Sequence, residues 1–315
     1  MKYSHIIKYP ILLLILYAFM ACTQQEWVEP SDKVTVTFSV TPEQAFGETR
    51  AMSGQETQVN RLVCAVYDIK GNLLPEFGDA DNGQIVMDDF SPTEGVRLPL
   101  RLVRGQEYKV VFWASCSDCE AYDTSDLSNV KIRYNKMQCN DSKCDAFCKA
   151  EAFTVTSAPS MERTVRLRRP FAQINVGIPE SDYQALADKR IEIKSSKITL
   201  GPVANIINAV NNSVSTDNTI EKIEFSEAPV PDGNFTVQTV TDGETTEKEY
   251  KYLAMCYLLV ADKNDGTSTY SSELKELTVT LHYDSGSKVF TLENVPVERN
   301  WSTNIFLTKE TFERE

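Results

Sequence analysis

Apolar and polar residues alternate with a period of two along much of this chain, which is the pattern of half-buried β-strands. The clearest run is KVTVTFSV, whose apolar positions are Val34, Val36, Phe38 and Val40. The runs EYKVVFWAS (107–115) and KEYKYLAMCYLLVAD (248–262) are apolar at both alternating sets of positions. A strand that is buried on both faces has this composition, so we expect these two runs to lie centrally in sheets.

One short helix is predicted near residues 181–190. Ser181 and Gln184 have the spacing of a capping box, and an apolar stripe follows at Leu186 and Ala187. Elsewhere, short strands are separated by turn residues, and the long crossovers that join parallel strands are missing. The predicted fold class is therefore all-β, with antiparallel β-sandwich domains in tandem and one short helix.

A polar run, Asn211–Thr219, is the best candidate for a linker between two domains. It places an N-terminal β-sandwich domain at residues 33–212 and a C-terminal one at residues 219–315. A second candidate boundary lies at Ala158–Met161, and it would move one or two strands from one domain to the other.

The first 21 residues have the features of a secretory signal. Lys2 and Lys8 precede an apolar run, Ile11–Ala21, which is about half the roughly 20 residues that a membrane-spanning helix needs. The residues FMAC resemble the lipobox of bacterial lipoproteins, which implies that Cys22 is acylated and that residues 22–32 form a lipidated tether. An ordinary secreted protein and an uncleaved anchor are the alternatives.

The charge balance excludes nucleic acid as a partner. The formal net charge is −13, and loss of Lys2 and Lys8 with the signal makes it −15. Binding to a polyanion depends on clustered Lys and Arg. The nearest approach to such a cluster is RTVRLRR (163–169), where arginines alternate with apolar residues, as on the solvent-facing side of a strand.

No catalytic or cofactor-binding motif stands out, and we predict no cofactor, no metal and no enzymatic activity. Without the signal, His282 is the remaining histidine, which argues against multi-histidine metal sites and histidine-based triads. No P-loop, GxGxxG or GxSxG pattern is present. Paired carboxylates for sugar hydrolysis stay open, because 45 acidic residues supply many pairs.

Five cysteines fall within 33 residues of each other. They are Cys116, Cys119, Cys139, Cys144 and Cys148. Their spacing loosely resembles a zinc ribbon, but an exported protein favours disulfides, so we predict disulfides within this loop, with free thiols and a metal as alternatives. Cys64 and Cys256 lie in apolar strands, where we expect inert core thiols.

Four segments together resemble the fimbrillin family, the subunits of type V pili. They are LVCAVYDIKGNLL, YKVVFWAS, RPFAQINVG and VPVERNWSTNIFLT. The resemblance covers most of the mature chain. It implies a lipoprotein precursor with two transthyretin-like β-sandwich domains in tandem, exported to the outer membrane and the cell surface as part of a fimbrium.

The resemblance also implies a processing step. In fimbrillins an arginine-specific protease cuts the loop after the first strand, which matches the bond between Arg50 and Ala51 here. The strand that would be displaced carries Val34, Val36, Phe38 and Val40, and a strand from the next pilus subunit would fill the groove. A plain surface arginine is the alternative for Arg50.

Polymerising members usually continue past the TNI motif with an apolar donor strand, whereas TKETFERE (308–315) is charged and short. We therefore expect a pilus or adhesion component that accepts a strand without donating one, or that acts as an anchor, a tip or a stand-alone protein. The expected partners are other pilus subunits and the outer membrane. The alternative is a monomeric, lipid-anchored protein that binds a glycan or host surface ligand through Trp113 or Trp301.

Overall fold

The computed structural model describes residues 32–43, 58–79, 81–215, 217, 219–241, 244–261 and 272–313. Most of these residues lie in strands. The strands of the first half are β1 Lys33–Pro42, β2 Arg61–Asp68, β3 Gln84–Met87, β4 Val96–Val103, β5 Glu107–Ser115, β6 Tyr122–Asp123, β7 Val130–Ile132, β8 Ala146–Thr154 and β9 Ser160–Leu167.

The second half continues with strands and two α-helices. The strands are β10 Phe171–Pro179, β11 Ile193–Gly201, β12 Val203–Ala204, β13 Ile206–Asn208, β14 Ser213–Val214, β15 Thr219–Ile220, β16 Ile223–Glu224, β17 Ala228–Pro229, β18 Asn234–Thr241, β19 Glu244–Leu259, β20 Ser272–Tyr283, β21 Gly286–Val297 and β22 Ser302–Phe306. The helices are α1 Glu180–Asp188 and α2 Lys309–Glu313.

Two sheets enclose a first hydrophobic core. Their strand orders are β4-β1-β9 and β3-β2-β5-β8. The buried side chains between them come from residues 34 to 167. Because β1 occupies the middle of its sheet, its alternating apolar residues form the centre of this core.

The sheet β3-β2-β5-β8 is covered on both faces. On β5, Val110 and Phe112 belong to the first core, whereas Val111 and Trp113 belong to a second, larger core. This accounts for the apolar residues at both sets of positions in EYKVVFWAS. The predicted central place of this run is confirmed, since β5 lies between β2 and β8.

The second core is built mainly by two further sheets. Their orders are β18-β19-β10-β22 and β16-β11-β20-β21, and β17 also pairs with β11. Smaller pairings, β14-β13-β7-β6 and β12-β15, lie beside them. The apolar run 248–262 supplies most of β19, which lies centrally between β18 and β10, as predicted.

The predicted all-β fold class is confirmed. Most strand pairs are antiparallel, but β1 pairs with β9 and β10 pairs with β22 in parallel. These parallel partners are far apart in sequence, so whole sheets, rather than single crossover helices, make the connection. The predicted division of the chain at residues 212 to 219 stays a prediction.

Helix α1 occurs where a helix was predicted, but the predicted capping box is wrong. The residue before the first turn is Pro179, and no side chain caps the helix. Ser181 therefore lies inside the first turn, and Gln184 donates to the carboxylate of Glu180 at 2.7 Å instead. Among the described residues, neither helix has the length and apolar character needed to cross a membrane.

Candidate strand-exchange site

The predicted displaced strand is deeply buried on one face. Val34 is 1% exposed, and Val36, Phe38 and Val40 are fully buried. The intervening residues are partly or fully exposed, as the alternation in KVTVTFSV predicts. The strand therefore fills a slot with one row of side chains and shows the other row to solvent.

Phe38 is the largest side chain in this row, and it contacts the facing sheet. Its ring centroid lies 5.6 Å from that of Phe112 and 5.5 Å from that of Phe153. Aromatic pairs at these distances and tilted angles are favourable beyond the area that they bury. Removal of β1 would thus leave an aromatic-walled pocket at the centre of the first core.

Backbone pairing holds β1 on both sides. It runs parallel to β9, with Thr35 opposite Ser160 and Pro42 opposite Leu167, and β4 flanks its other edge. Before β4, the chain approaches β1 closely at Gly95, where a Cβ would lie 2.3 Å from the carbonyl oxygen of Val40. Glycine is needed at this position because the backbone φ of +69° also disfavours side chains.

Charged groups hold the C-terminal end of β1. The amide of Glu43 donates to the carbonyl of Leu167 at 2.8 Å, and its carboxylate accepts from Arg168 Nε at 2.8 Å. Arg169 Nη1 donates to the carbonyl oxygen of Glu43 at 3.0 Å. We call Glu43, Arg168, Arg169 and Asp145 the strand clamp.

The central pair of the strand clamp is buried. Arg169 makes two hydrogen bonds of 2.8 Å to the carboxylate of Asp145, and both side chains are 4% exposed. The guanidinium of Arg169 also lies 4.3 Å from the ring centre of Phe147. The backbone amide of Arg169 donates to Asn300 Oδ1, and its backbone carbonyl accepts from Arg299 Nε. The segments RPFAQINVG and VPVERNWSTNIFLT therefore meet at the strand clamp.

The prediction that the arginines of RTVRLRR face solvent is only partly confirmed. Arg166 and Arg168 are exposed, as a solvent-facing strand side predicts, but Arg169 is buried. The strand ends at Leu167, so Arg169 lies beyond the alternation. Sequence reasoning also missed Glu43 and Asp145, for which no local pattern gives a signal.

The residues of the predicted processing and lipidation sites, Arg50, Ala51 and Cys22, lie outside the described residues. Glu43 and Gln58 are the described residues on either side of the segment that contains Arg50. Cleavage and acylation stay predictions.

All seven described cysteines are free thiols in the structure. Cys64 and Cys256 are buried in the strands where inert thiols were expected, and burial raises the pKa of each. Within the 116–148 loop, the sulfur atoms of Cys119 and Cys144 lie 3.8 Å apart. The predicted disulfides therefore stay a prediction. Nowhere in the described ranges are three His, Cys, Asp or Glu side chains grouped to hold a metal ion.

The same loop borders a polar cleft of about 640 Å³. Its walls carry amides and charges of both signs, including Gln138, Asp141 and Lys143. The aromatic side chains expected to bind a glycan are elsewhere. Trp113 is fully buried between the rings of Tyr122 and Phe171, so the expectation of an exposed Trp113 is wrong. Trp301 is partly exposed, and a glycan or host ligand stays a prediction.

The solved structures to which this chain is similar include two fimbrial proteins and an adhesin. The fimbrial anchor protein Mfa2 from Porphyromonas gingivalis is 12% identical, with a TM-score of 0.43 over 83% of this chain and 82% of that one. A fimbrial assembly protein from Parabacteroides distasonis is 10% identical, with a TM-score of 0.39 over 87% and 90%. A candidate adhesin from Bacteroides ovatus is 12% identical, with a TM-score of 0.46 over 87% of both chains.

Among curated proteins, no sequence matches this chain. A family model does match, and it covers residues 28–312 of the 315-residue chain. That model describes DUF6562, a family of unknown function, and the chain belongs to this family.

Proposed function

We propose that this protein is a non-enzymatic lipoprotein of the bacterial surface, in which β1 holds the place of a strand from another pilus subunit. The position of β1 carries the proposal. The strand lies between two partners and buries four alternating side chains. On its C-terminal side it joins the rest of the chain through the segment that contains Arg50. A single cut there would leave β1 held by non-covalent contacts alone.

The buried row makes a replacement strand energetically reasonable. Burial of four such side chains is worth roughly 6 to 12 kcal/mol, at about 1.5 to 3 kcal/mol each. Ordering of an incoming strand reduces this gain. The edges of β4 and β9 would supply ladder hydrogen bonds on both sides, as in β-strand addition. A strand with matching alternation would therefore dissociate slowly.

Anchoring would come from Cys22. Two or more acyl chains on one cysteine hold a protein stably in a membrane, whereas one chain binds only marginally. We place the precursor at the outer membrane, as a pilus or adhesion component. Cleavage after Arg50 and the later departure of β1 would remove the tether together with this strand, and would free the remaining chain for assembly.

The segment after β22 supports a role as acceptor. It folds as α2, where the amide of Lys309 donates to Asp182 Oδ2 at 3.2 Å. The ring of Phe312 packs edge-on against Phe290 at 5.5 Å. Residues 309–312 thus pack on the protein's own body, and we propose that the chain receives a strand at β1 without presenting one from this segment.

The proposal is tested with the uncut protein that lacks the signal segment, residues 22–315, and an arginine-specific protease. We expect a cut between Arg50 and Ala51, after which a labelled peptide with the sequence of residues 33–43 exchanges into the slot. The uncut protein should not take up the peptide. A peptide with serine at the four buried positions is the matched control and should not bind.

An Arg50→Gln variant should resist the cut and stay closed to the peptide. Equal uptake by the cut and uncut proteins, or no uptake by a cut chain that stays folded, would show that β1 is a permanent part of the fold.

A further inference from the structure

Two cysteines beside the strand clamp are placed to form a bond. The sulfur atoms of Cys119 and Cys144 lie 3.8 Å apart. A disulfide needs about 2.05 Å, so the two sulfur atoms would have to approach each other by roughly 2 Å. Cys144 is almost fully buried, whereas Cys119 is partly exposed and lines the polar cleft. Cys119 is therefore the member of the pair that an oxidant can reach.

Two other cysteines of the loop have partners of a different kind. The sulfur of Cys139 contacts the hydroxyl of Ser196 at 3.6 Å. The sulfur of Cys148 accepts from Arg299 Nη2 at 3.6 Å. These contacts direct both sulfurs toward polar groups of the second half of the chain, whereas the sulfur of Cys119 directly contacts that of Cys144.

Cys144 directly precedes Asp145 of the strand clamp. The hydroxyl of Tyr122 donates to the carbonyl oxygen of Cys144, which fixes the backbone at this point. The carboxylate of Asp145 then holds Arg169, and Arg169 Nη1 reaches the carbonyl oxygen of Glu43. A continuous series of contacts thus joins Cys144 to the end of β1.

We propose that Cys119 and Cys144 form a disulfide that fixes Asp145 and, through Arg169, holds the C-terminal end of β1 in place. This inference concerns the intact chain and does not depend on strand exchange.

The bond would form by thiol–disulfide exchange with an exported protein that carries a reactive disulfide. The Cys119 thiolate attacks one sulfur of that disulfide and releases the other as a thiolate. Cys144 then attacks the sulfur of Cys119, and the oxidant leaves as a dithiol. The two cysteines lose two electrons and two protons, and the oxidant gains them. The hydrogen bond with Cys144 lowers the pKa of Cys119, which favours Cys119 as the first nucleophile.

The first test maps the bond. The mature protein is denatured in iodoacetamide without a reductant, digested and analysed by mass spectrometry. We expect a cross-linked peptide pair that contains Cys119 and Cys144, with Cys116, Cys139 and Cys148 alkylated. A Cys144→Ser variant should free Cys119 for alkylation, and a Cys116→Ser variant should keep the cross-link. Alkylation of both Cys119 and Cys144 in the original protein, or a different pair, would overturn the assignment.

The second test measures the link to β1 in uncut protein. The amide of Glu43, which donates to Leu167 O, is followed by hydrogen exchange. Loss of the cross-link should accelerate its exchange by about 2-fold or more, as expected for residues coupled through shared contacts. Cys144→Ser should show this change, and Cys116→Ser should not.

Reduction of the original protein provides a second measurement that does not rely on a variant folding correctly. It should produce the same acceleration as Cys144→Ser. An unchanged exchange rate after reduction would mean that the disulfide does not support the strand clamp.

Discussion

Replacement of Phe38 by alanine is the most direct test of β1 as the filler of a slot. The side chain is fully buried, and its ring contacts those of Phe112 and Phe153 at about 5.5 Å. Alanine would leave a cavity in the middle of the first core. Core changes of this kind lower the free energy of unfolding by about 3 to 5 kcal/mol.

The loss should be confined to the first core, because Phe38 has no part in the second. Urea unfolding is monitored by hydrogen exchange at the backbone amides of β2 and β5, which reports on the stability of the first core. With a urea slope of about 3 kcal/mol per M, the midpoint should fall by about 1 to 1.7 M. Thr35→Ala is the control on the exposed face of the same strand, and it should change stability by less than about 1 kcal/mol.

Equal shifts for Phe38→Ala and Thr35→Ala would refute the reasoning. They would mean that the two faces of β1 are equally solvated. An unchanged midpoint in both variants would mean that β1 contributes little to the stability of the first core. Another strand bound in the same slot would then gain little free energy from burying its side chains.

Three further outcomes follow from the structure. Asp145→Asn should lower the free energy of unfolding by about 3 to 5 kcal/mol in urea titrations, because the buried arginine loses its counter-charge; a change near zero would show that water reaches the pair. Gly177→Ala should lower it by about 1 to 3 kcal/mol in thermal melts, since a Cβ would lie 2.4 Å from the ring of Phe235, and an unchanged melting temperature would mean that the ring moves freely. In reduced protein at neutral pH, iodoacetamide should modify Cys119 well before Cys64. The pKa of Cys119 is lowered and that of Cys64 is raised, so Cys119 has the larger fraction of reactive thiolate at a given pH. Equal rates would contradict the environments assigned to the two thiols.

Local alternation was sufficient to predict which residues of β1 are buried, because a strand has only two faces. It also predicted the central places of β5 and β19, whose apolar residues occupy both sets of positions. The parallel pairing of β1 with β9 could not be predicted in this way, because it joins residues more than a hundred positions apart and depends on how the sheets pack.

The strand clamp could not be predicted from the sequence either, because it also depends on residues that only the fold brings together. Arg169 has the same local surroundings as the exposed Arg168, and only the position of Asp145 in the fold makes one of them a buried partner. The predicted N-cap of α1, Ser181, lies two residues beyond the observed one, because Pro179, with its fixed φ, sets the entry to the helix.

The sheet β3-β2-β5-β8 has a core on each side, and β1 contributes to only one of them. If β1 departs, this sheet still rests on the larger core, with Val111 and Trp113 in their places. The second core could therefore stay folded after β1 has left and before another strand binds in its place.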